Sequence, residues 1–196
     1  IISALTQGRD LLLRRQPKDV EESRKDLLGE EAPSDFFRLM RAWSFAEKNN
    51  FNMGACTKLG IHAQSAHVAL GAAGELSGYP ELAQLLRRRG VAGLNTEQMH
   101  ELFRRMVFNI LIDNTDDHDK NHVLLARDER SGQFELAPAF DVLPSGQALG
   151  YQQIRVGDDD ADATIHNALS MCTQFGLKRD AAVAQAREVA RTVRRW

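Results

Sequence analysis

The chain has 196 residues, of which 43% are hydrophobic and 27% are charged. This composition is ordinary for a globular protein and excludes an intrinsically disordered chain. The formal net charge of -2 gives no overall attraction to nucleic acid or to acidic membrane surfaces.

The two cysteines and the lack of long apolar runs exclude further classes of protein. Cys56 and Cys172 are far apart and match no metal-ligand spacing, so we predict neither a disulfide framework nor a zinc site. No apolar run approaches the roughly 18 residues that span a bilayer. Ile1–Leu5 is too short for a signal peptide. We therefore expect a cytoplasmic protein without membrane contact. Since the chain begins with Ile rather than Met, we expect further sequence upstream.

Four segments predict amphipathic helices, because their apolar side chains recur three or four positions apart. They are Asp35–Ala46, Pro80–Arg89, Thr96–Ile112 and Arg179–Val193. The second has proline at its first helical position and Gly90 directly after its end, which are start and stop signals.

The third predicted helix has the strongest pattern and forms a rigid base for whatever follows it. Asn95 followed by Gln98 resembles a capping box, with asparagine in place of serine or threonine. The apolar stripe consists of Met99, Leu102, Phe103, Met106, Val107 and Ile110.

Two surface features carry weaker signals. The glycine cluster in Ala69–Gly78 predicts a flexible connection rather than a phosphate-binding loop, because no convincing strand precedes it. The consecutive arginines Arg87–Arg89 predict a solvated helix surface, with contact to an acidic partner or nucleic acid as the alternative.

The segment Asn114–His122 (NTDDHDKNH) is entirely polar and directly follows the best helix. Two short apolar runs come next, His122–Arg127 and Phe134–Leu143, around a Ser131-Gly132 turn. They predict a β-hairpin, with Pro138 limiting the second strand.

Asp116 and Asn121 are five positions apart, and Asp141 lies about 20 residues further on within apolar sequence, which predicts that it is semi-buried. Because burying an unpaired aspartate is costly, Asp141 is expected to meet a partner or a cation. The D-x-x-x-x-N spacing, followed by a hairpin and an aspartate, matches the catalytic loop of protein kinases. In that chemistry Asp116 is the base, Asn121 and Asp141 bind Mg²⁺, and Lys120 helps to hold the γ-phosphate. A solvated loop with a capping aspartate is the alternative.

Two longer motifs, NILIDNTDDHDKN and LAPAFD, resemble the HipA-like serine/threonine kinases, the toxins of bacterial toxin–antitoxin pairs. SGYPELAQLLRRRG and the C-terminal helical tail are also similar to that family. The resemblance implies a mainly α fold in residues 65–196, the helical C-terminal lobe of a protein-kinase-like fold with a short β-hairpin after the catalytic loop. Residues 1–64 are weakly patterned and are expected to be a remnant of an N-lobe or a connection to one.

Carried over by position, the resemblance makes Asp116 the catalytic aspartate and makes Asn121 and Asp141 the magnesium ligands. Lys120 matches the family's lysine. His118 matches its histidine, for which we expect a hydrogen bond that braces the loop rather than proton transfer.

The same loop contains three residues to which no chemistry is assigned. Asp117, Asp119 and His122 are expected to be ordinary solvated loop residues.

The resemblance also implies a reaction and partners. ATP would be the phosphate donor, with Mg²⁺, and the family's protein substrates are aminoacyl-tRNA synthetases. A small helix-turn-helix antitoxin would be the partner, so that contact with DNA is indirect. Because no glycine-rich loop or strand lysine is found, the chain is expected to be the helical lobe without the ATP-binding N-lobe, or a divergent or truncated version of the whole. In either case it would not be expected to turn over ATP by itself.

Two other functions stay open. One is a catalytically silent helical module that binds an antitoxin or another partner. The other is a metal-dependent phosphohydrolase that uses a carboxylate cluster of Asp113, Asp116, Asp117 and Asp141.

Overall fold

The computed structural model of the chain describes residues 62–126, 130–144 and 148–194. These residues form five helices and one small antiparallel sheet. The strands are β1 (His62–Ser65), β2 (Val123–Ala126) and β3 (Glu135–Leu136). The helices are α1 (Ala66–Ala73), α2 (Tyr79–Arg89), α3 (Asn95–Leu111), α4 (Ile165–Ser170) and α5 (Arg179–Arg194), with short 3-10 turns at Asp119–Asn121 and Cys172–Phe175. The predicted helix Asp35–Ala46 and Cys56 lie outside the described residues, and the division of the chain at residue 65 stays a prediction.

Helix α3 is the centre of the hydrophobic core and packs against both α2 and α5. The predicted helices over 80–89, 96–112 and 179–193 are confirmed to within a residue or two at each end. The rings of Phe103 and Phe175 meet edge to face, with centroids 5.4 Å apart. Burial of each large apolar side chain stabilises the fold by roughly 1.5–3 kcal/mol before entropy is counted. Helix α3 is therefore the rigid, well-packed helix that the sequence predicted.

The start of α3 differs from the predicted capping box. Asn95 is already inside the helix, and the N-cap position is Leu94, which makes no side-chain cap. Gln98 does not turn back to the helix start, because its Oε1 accepts a hydrogen bond from the Leu136 N–H at 3.0 Å. The glutamine therefore ties α3 to strand β3 instead of capping its own helix.

The end of α3 is a Schellman motif that turns the chain into the polar segment. Asp113 has a positive φ of 59°. Its N–H donates to Ile110 O at 3.3 Å, and the Asn114 N–H donates to Asn109 O at 2.9 Å. These two bonds are the pair that defines this helix ending.

The predicted hairpin of β2 and β3 is confirmed, with Leu124 opposite Leu136. Gly132, with φ at +60°, provides the turn, and β3 has only two residues, as Pro138 predicted. Strand β1 was not predicted. It pairs antiparallel with β2, and its short sequence HAQS has no apolar alternation to reveal it.

The glycine-containing segment after β1 is ordered where a flexible connection was predicted. Helix α1 extends to Ala73, capped at its start by the Ser65 side chain and closed by Gly74 at φ +70°. The prediction is therefore wrong for the first half of Ala69–Gly78. No helix among the described residues has the length and apolarity to cross a bilayer.

The consecutive arginines of α2 lie on the surface but make contacts within the chain. Arg87 donates to Thr173 O at 3.1 Å, and Arg88 pairs with Glu75 at 2.5 Å. Arg89 donates to Gly132 O at 2.8 Å. These guanidinium groups brace α2 against its neighbours.

Candidate catalytic loop

The polar segment after α3 folds back against the helices instead of extending into solvent. Asp117, Asp119 and His122 are all buried, with exposed fractions of 2%, 9% and 3%. The expectation that these three residues are solvated is therefore wrong. A buried carboxylate is strongly unfavourable unless it is paired, so the partners of the two aspartates define how the loop is held.

Asp117 is held by an aromatic residue of α2 and by the histidine at the end of the loop. The Tyr79 hydroxyl donates a hydrogen bond to Asp117 Oδ2. The Nε2 atom of His122 lies 3.2 Å from Asp117 Oδ1. Because an ionised carboxylate only accepts, the imidazole N–H is the donor in this contact. Burial, and after it the negative charge of Asp117, raises the pKa of Tyr79 well above its ordinary value.

The chain of hydrogen bonds continues from Tyr79 back to the end of α3. Asn109 Nδ2 donates to the Tyr79 hydroxyl oxygen at 3.0 Å. Asn114 Nδ2 in turn donates to Asn109 Oδ1 at 3.3 Å. Asn114, Asn109, Tyr79, Asp117 and His122 thus form one buried network, and all five are less than a tenth exposed. Each of the five side chains has a partner within the network, while His122 Nδ1 has none among the described residues. Such buried networks favour one local arrangement.

Asp119 is a second anchor, directed toward α1. Its Oδ2 lies 3.0 Å from His67 Nδ1. Burial alone would raise the pKa of Asp119, but hydrogen bonds from Ser77 and His67 and the charges of His67 and His118 lower it overall. The ionised form of Asp119 is therefore favoured in this position.

Asp116 and Asn121 are brought together by the fold of the loop. Asn121 is 6% exposed, and its Nδ2 donates to the Asp116 carbonyl oxygen at 3.4 Å. The Asp116 side chain is exposed to solvent, as is Lys120 in the 3-10 turn. The loop therefore presents one carboxylate and one ammonium outward while the amide lies beneath.

Asp141 follows β3, which runs antiparallel to β2 and so returns toward the loop. The Ala137 N–H donates to Val123 O at 2.8 Å, one residue beyond the strands. Four further residues reach Asp141, a span of at most about 14 Å. Asp141 is exposed with φ at +54°, so the expectation that it is semi-buried is wrong.

The buried ring nitrogen of His118 does not make the loop-bracing hydrogen bond that was expected. Its Nδ1 has no hydrogen-bond partner among the described residues. Its backbone carbonyl accepts from the Asn121 N–H at 2.9 Å. The ring that braces the loop is that of His122, through Asp117.

The carboxylate cluster of the phosphohydrolase alternative does not form. In the described ranges, which include all four proposed aspartates, no three His, Cys, Asp or Glu side chains are grouped as a metal site. Asp117 is committed to Tyr79 and His122, and Asp113 Oδ2 accepts from the Ala148 N–H at 2.8 Å. The structure of the described residues therefore does not support this alternative.

Comparison with known proteins agrees with the sequence motifs. Residues 47–196, more than half of the chain, match the family described as the HipA-like C-terminal domain. The chain belongs to this family. No curated protein matches it.

Among solved structures, the HipA-like chain is similar to a chain in the complex of HipA, HipB and operator DNA from the toxin–antitoxin system of Shewanella oneidensis MR-1. The identity is 17% and the TM-score is 0.49, covering 59% of this chain and 27% of that chain. The HipA-like chain thus corresponds to well under two thirds of that protein's length.

Sequence reasoning missed four members of the buried network in this HipA-like domain, namely Tyr79, Asn109, Asp117 and His122. One signal was available. Asn109 is seven positions after Leu102 and three after Met106, so it lies on the buried face of α3. A polar side chain on such a face needs a hydrogen-bond partner, and that requirement would have prompted a search for one.

Proposed function

We propose that this HipA-like domain is the helical C-terminal lobe of a serine/threonine protein kinase that transfers the γ-phosphate of ATP to a protein hydroxyl. The observation that carries the proposal is the pairing of exposed Asp116 with buried Asn121 in one hydrogen-bonded loop at the end of α3. This is the D-x-x-x-x-N arrangement that kinases use to position the nucleophile and a metal.

Three residues of the loop have separate roles in the proposed reaction. Asp116 accepts or orients the proton of the attacking hydroxyl, for which an exposed carboxylate is suited. Lys120, exposed in the following 3-10 turn, offsets negative charge on the phosphate being transferred. Asn121 uses its Nδ2 to hold the Asp116 carbonyl, which leaves Oδ1 as its metal-binding atom.

The donor set fits Mg²⁺, which prefers hard oxygen ligands and keeps several waters. Asn121 and Asp141 are the proposed ligands, and bound Mg²⁺ would neutralise negative charge on the nucleotide phosphates. Asp141 keeps a left-handed backbone conformation that is unfavourable for a residue other than glycine. Asp113, Ala148 and Asp160 share this conformation, so what supports a functional role for Asp141 is its exposed carboxylate, which is available to a cation.

The proposal extends to partners through the family. Kinases hold ATP between two lobes, so we propose that the ATP phosphates are covered by a part of the protein beyond the described residues. The protein substrate is proposed to be an aminoacyl-tRNA synthetase, and the partner a helix-turn-helix antitoxin through which contact with DNA is indirect.

Phosphate transfer from labelled ATP by the full-length gene product tests the proposal. Asp116→Asn and Asp141→Asn are expected to reduce transfer by about 10²-fold or more, since a positioned base alone contributes roughly 10²–10⁴-fold. Asp158→Asn, in an exposed turn, is the matched control and should retain activity. Full activity in Asp116→Asn, or no transfer by the unmodified protein with any tested synthetase, would contradict the proposal.

A catalytically silent module that binds an antitoxin is the second candidate. One observation favours it: helix α1 occupies much of the glycine cluster, so no glycine-rich phosphate loop is found in the described ranges. The two candidates differ in one measurable respect. A binding module would retain antitoxin affinity and would have no transfer activity for Asp116→Asn to remove.

A further inference from the structure

Asp117 is the most buried aspartate among the described residues, although the proposed reaction gives it no role. We propose that Asp117 is a positioning residue, which uses Tyr79 and His122 to fix the loop backbone so that the neighbouring Asp116 carboxylate is held toward the substrate. This inference rests on the proposed kinase function and assigns part of the same site.

The backbone on both sides of Asp116 is restrained. Asp117 is anchored through its carboxylate by Tyr79 and His122 and through its carbonyl oxygen by the Gln153 N–H at 3.2 Å. The Asp116 carbonyl oxygen in the same peptide accepts from Asn121 Nδ2, and on the N-terminal side the Thr115 carbonyl oxygen accepts from Gln153 Nε2 at 3.4 Å. Because the peptide between Asp116 and Asp117 is planar, fixing Asp117 leaves few free rotations between the anchor and the Asp116 carboxylate.

The network joins the loop to both α2 and α3. The Tyr79 hydroxyl belongs to α2, donates to Asp117, and accepts from Asn109 of α3. The Tyr79 ring also meets the His122 ring edge to face, with centroids 5.1 Å apart. Removing only the hydroxyl would break the links from Asp117 to α2 and to Asn109, while the ring packing and the bonds from Asn114 to Asn109 remain.

A purely structural role would not require an ionised group at this position. Apolar residues of similar volume often stabilise a core as well as a buried ion pair does, or better. A buried carboxylate with matched donors instead specifies one geometry, since any other loop position leaves it unpaired. The burial of Asp117 beside an exposed candidate base therefore points to positioning.

The first test compares Tyr79→Phe and Asp117→Asn with Tyr151→Phe in the full-length gene product. Tyr151, the chain's second tyrosine, is 47% exposed and serves as the matched control. We expect kcat to fall about 10-fold to 100-fold in the first two variants with little change in KM for ATP, because a misplacement of about 1 Å can reduce rates by 10²-fold.

The double variant that combines Tyr79→Phe with Asp117→Asn shows whether the two residues act as one unit or contribute independently to the rate. The double variant is expected to be no slower than the slower single variant, because both changes break the same unit. Rates equal to that of Tyr151→Phe, or losses in the two variants that multiply, would overturn the inference.

The second test does not depend on catalysis and uses hydrogen exchange of the chain. In Tyr79→Phe the amides of 114–122 are expected to exchange about tenfold faster or more, the change expected for one lost buried hydrogen bond, while the core of α3 changes less. Equal acceleration in both regions would mean general destabilisation and would overturn the inference.

The Asp116→Asn variant distinguishes a failure of this inference from a failure of the proposed function. This variant is expected to abolish phosphate transfer and leave exchange in the loop unchanged. If the unmodified protein transfers no phosphate, the proposed function fails, and the exchange comparison still decides whether the network holds the loop.

Discussion

Asp116 and Asp117 are adjacent in the chain but lie on opposite sides of the loop, one exposed to solvent and the other 2% exposed beneath it. The same chemical group is therefore free to react at one position and is committed to Tyr79 and His122 at the next. Asp116 is therefore available for the proposed chemistry, whereas Asp117 holds the loop in place.

Alanine substitutions at Asp116 and at Asp117 should have different effects on the free energy of unfolding. Asp116→Ala is expected to change the free energy of unfolding by less than about 0.5 kcal/mol, as usual for an exposed side chain. Asp117→Ala should lower it by about 2–5 kcal/mol, because the buried donors of Tyr79 and His122 lose their acceptor. Urea denaturation measures both values. Equal effects would contradict the buried network.

Alkaline titration should reveal Tyr79. Its folded-state pKa is raised above the ordinary 10.0 by burial and by Asp117, so its neutral form is favoured in the fold. The resulting stability is fully present below pH 10 and is lost as the pH rises through the folded-state pKa. Tyr79→Phe should flatten the fall in stability above pH 10, measured by urea denaturation. Tyr151→Phe is the control and should leave that fall in place.

The two residues of the predicted capping box should respond differently. Gln98→Ala is expected to lower the free energy of unfolding by about 1 kcal/mol, because the Leu136 N–H loses its acceptor. Asn95→Ala should have a smaller effect, below about 0.5 kcal/mol, since the hydrogen bonds of its side chain, from the Thr96 N–H at 3.0 Å and to Arg87 O at 3.4 Å, are exposed to solvent. Thermal or urea unfolding distinguishes the two. A larger loss from Asn95→Ala would restore the capping interpretation.

The sequence predicted features that depend on residues close together in the chain, and it missed features that depend on contacts between residues far apart in the chain. Helix α2 was predicted because Pro80 and Gly90 signal its ends locally. Strand β1 exists only by pairing with β2, and the bond between Tyr79 and Asp117 joins residues 38 positions apart. No local pattern encodes such contacts, so the loop's buried half was not predicted.

The candidate site was predicted in part for the same reason. Asp116 and Asn121 belong to one loop, so their spacing alone indicated that they act together. The apolar neighbours of Asp141 indicated burial, but its left-handed backbone places this residue at the surface. Backbone conformation at a single residue is not visible in a hydrophobic pattern.

Acid should weaken the fold through Glu101. Burial would raise the pKa of Glu101, but Arg105 and Arg104, whose nitrogens each lie 3.0 Å from its carboxylate oxygens, lower it overall. Its contribution is therefore present above the unfolded-state pKa of 4.5 and is lost as the pH falls through the lower folded-state pKa. Glu101→Gln should reduce the acid sensitivity of the urea midpoint below pH 4.5. Glu188→Gln, on the exposed face of α5, should not.

Substitutions at Asp141 should separate backbone strain from the proposed metal-binding role. Asp141→Gly removes the carboxylate and relieves the positive φ of 54°, so the free energy of unfolding should stay level or rise by up to about 1 kcal/mol. Asp141→Ala removes the same carboxylate but keeps the strain, and should be about 1 kcal/mol less stable than the glycine variant.

Both Asp141 variants are expected to lose phosphate transfer equally, because the proposed ligand is absent from each. Stability is measured by urea denaturation and transfer by labelled ATP. If Asp141→Ala instead kept more transfer than Asp141→Gly, the strained backbone rather than the carboxylate would be what the site requires. Asp141 would then no longer be a candidate metal ligand.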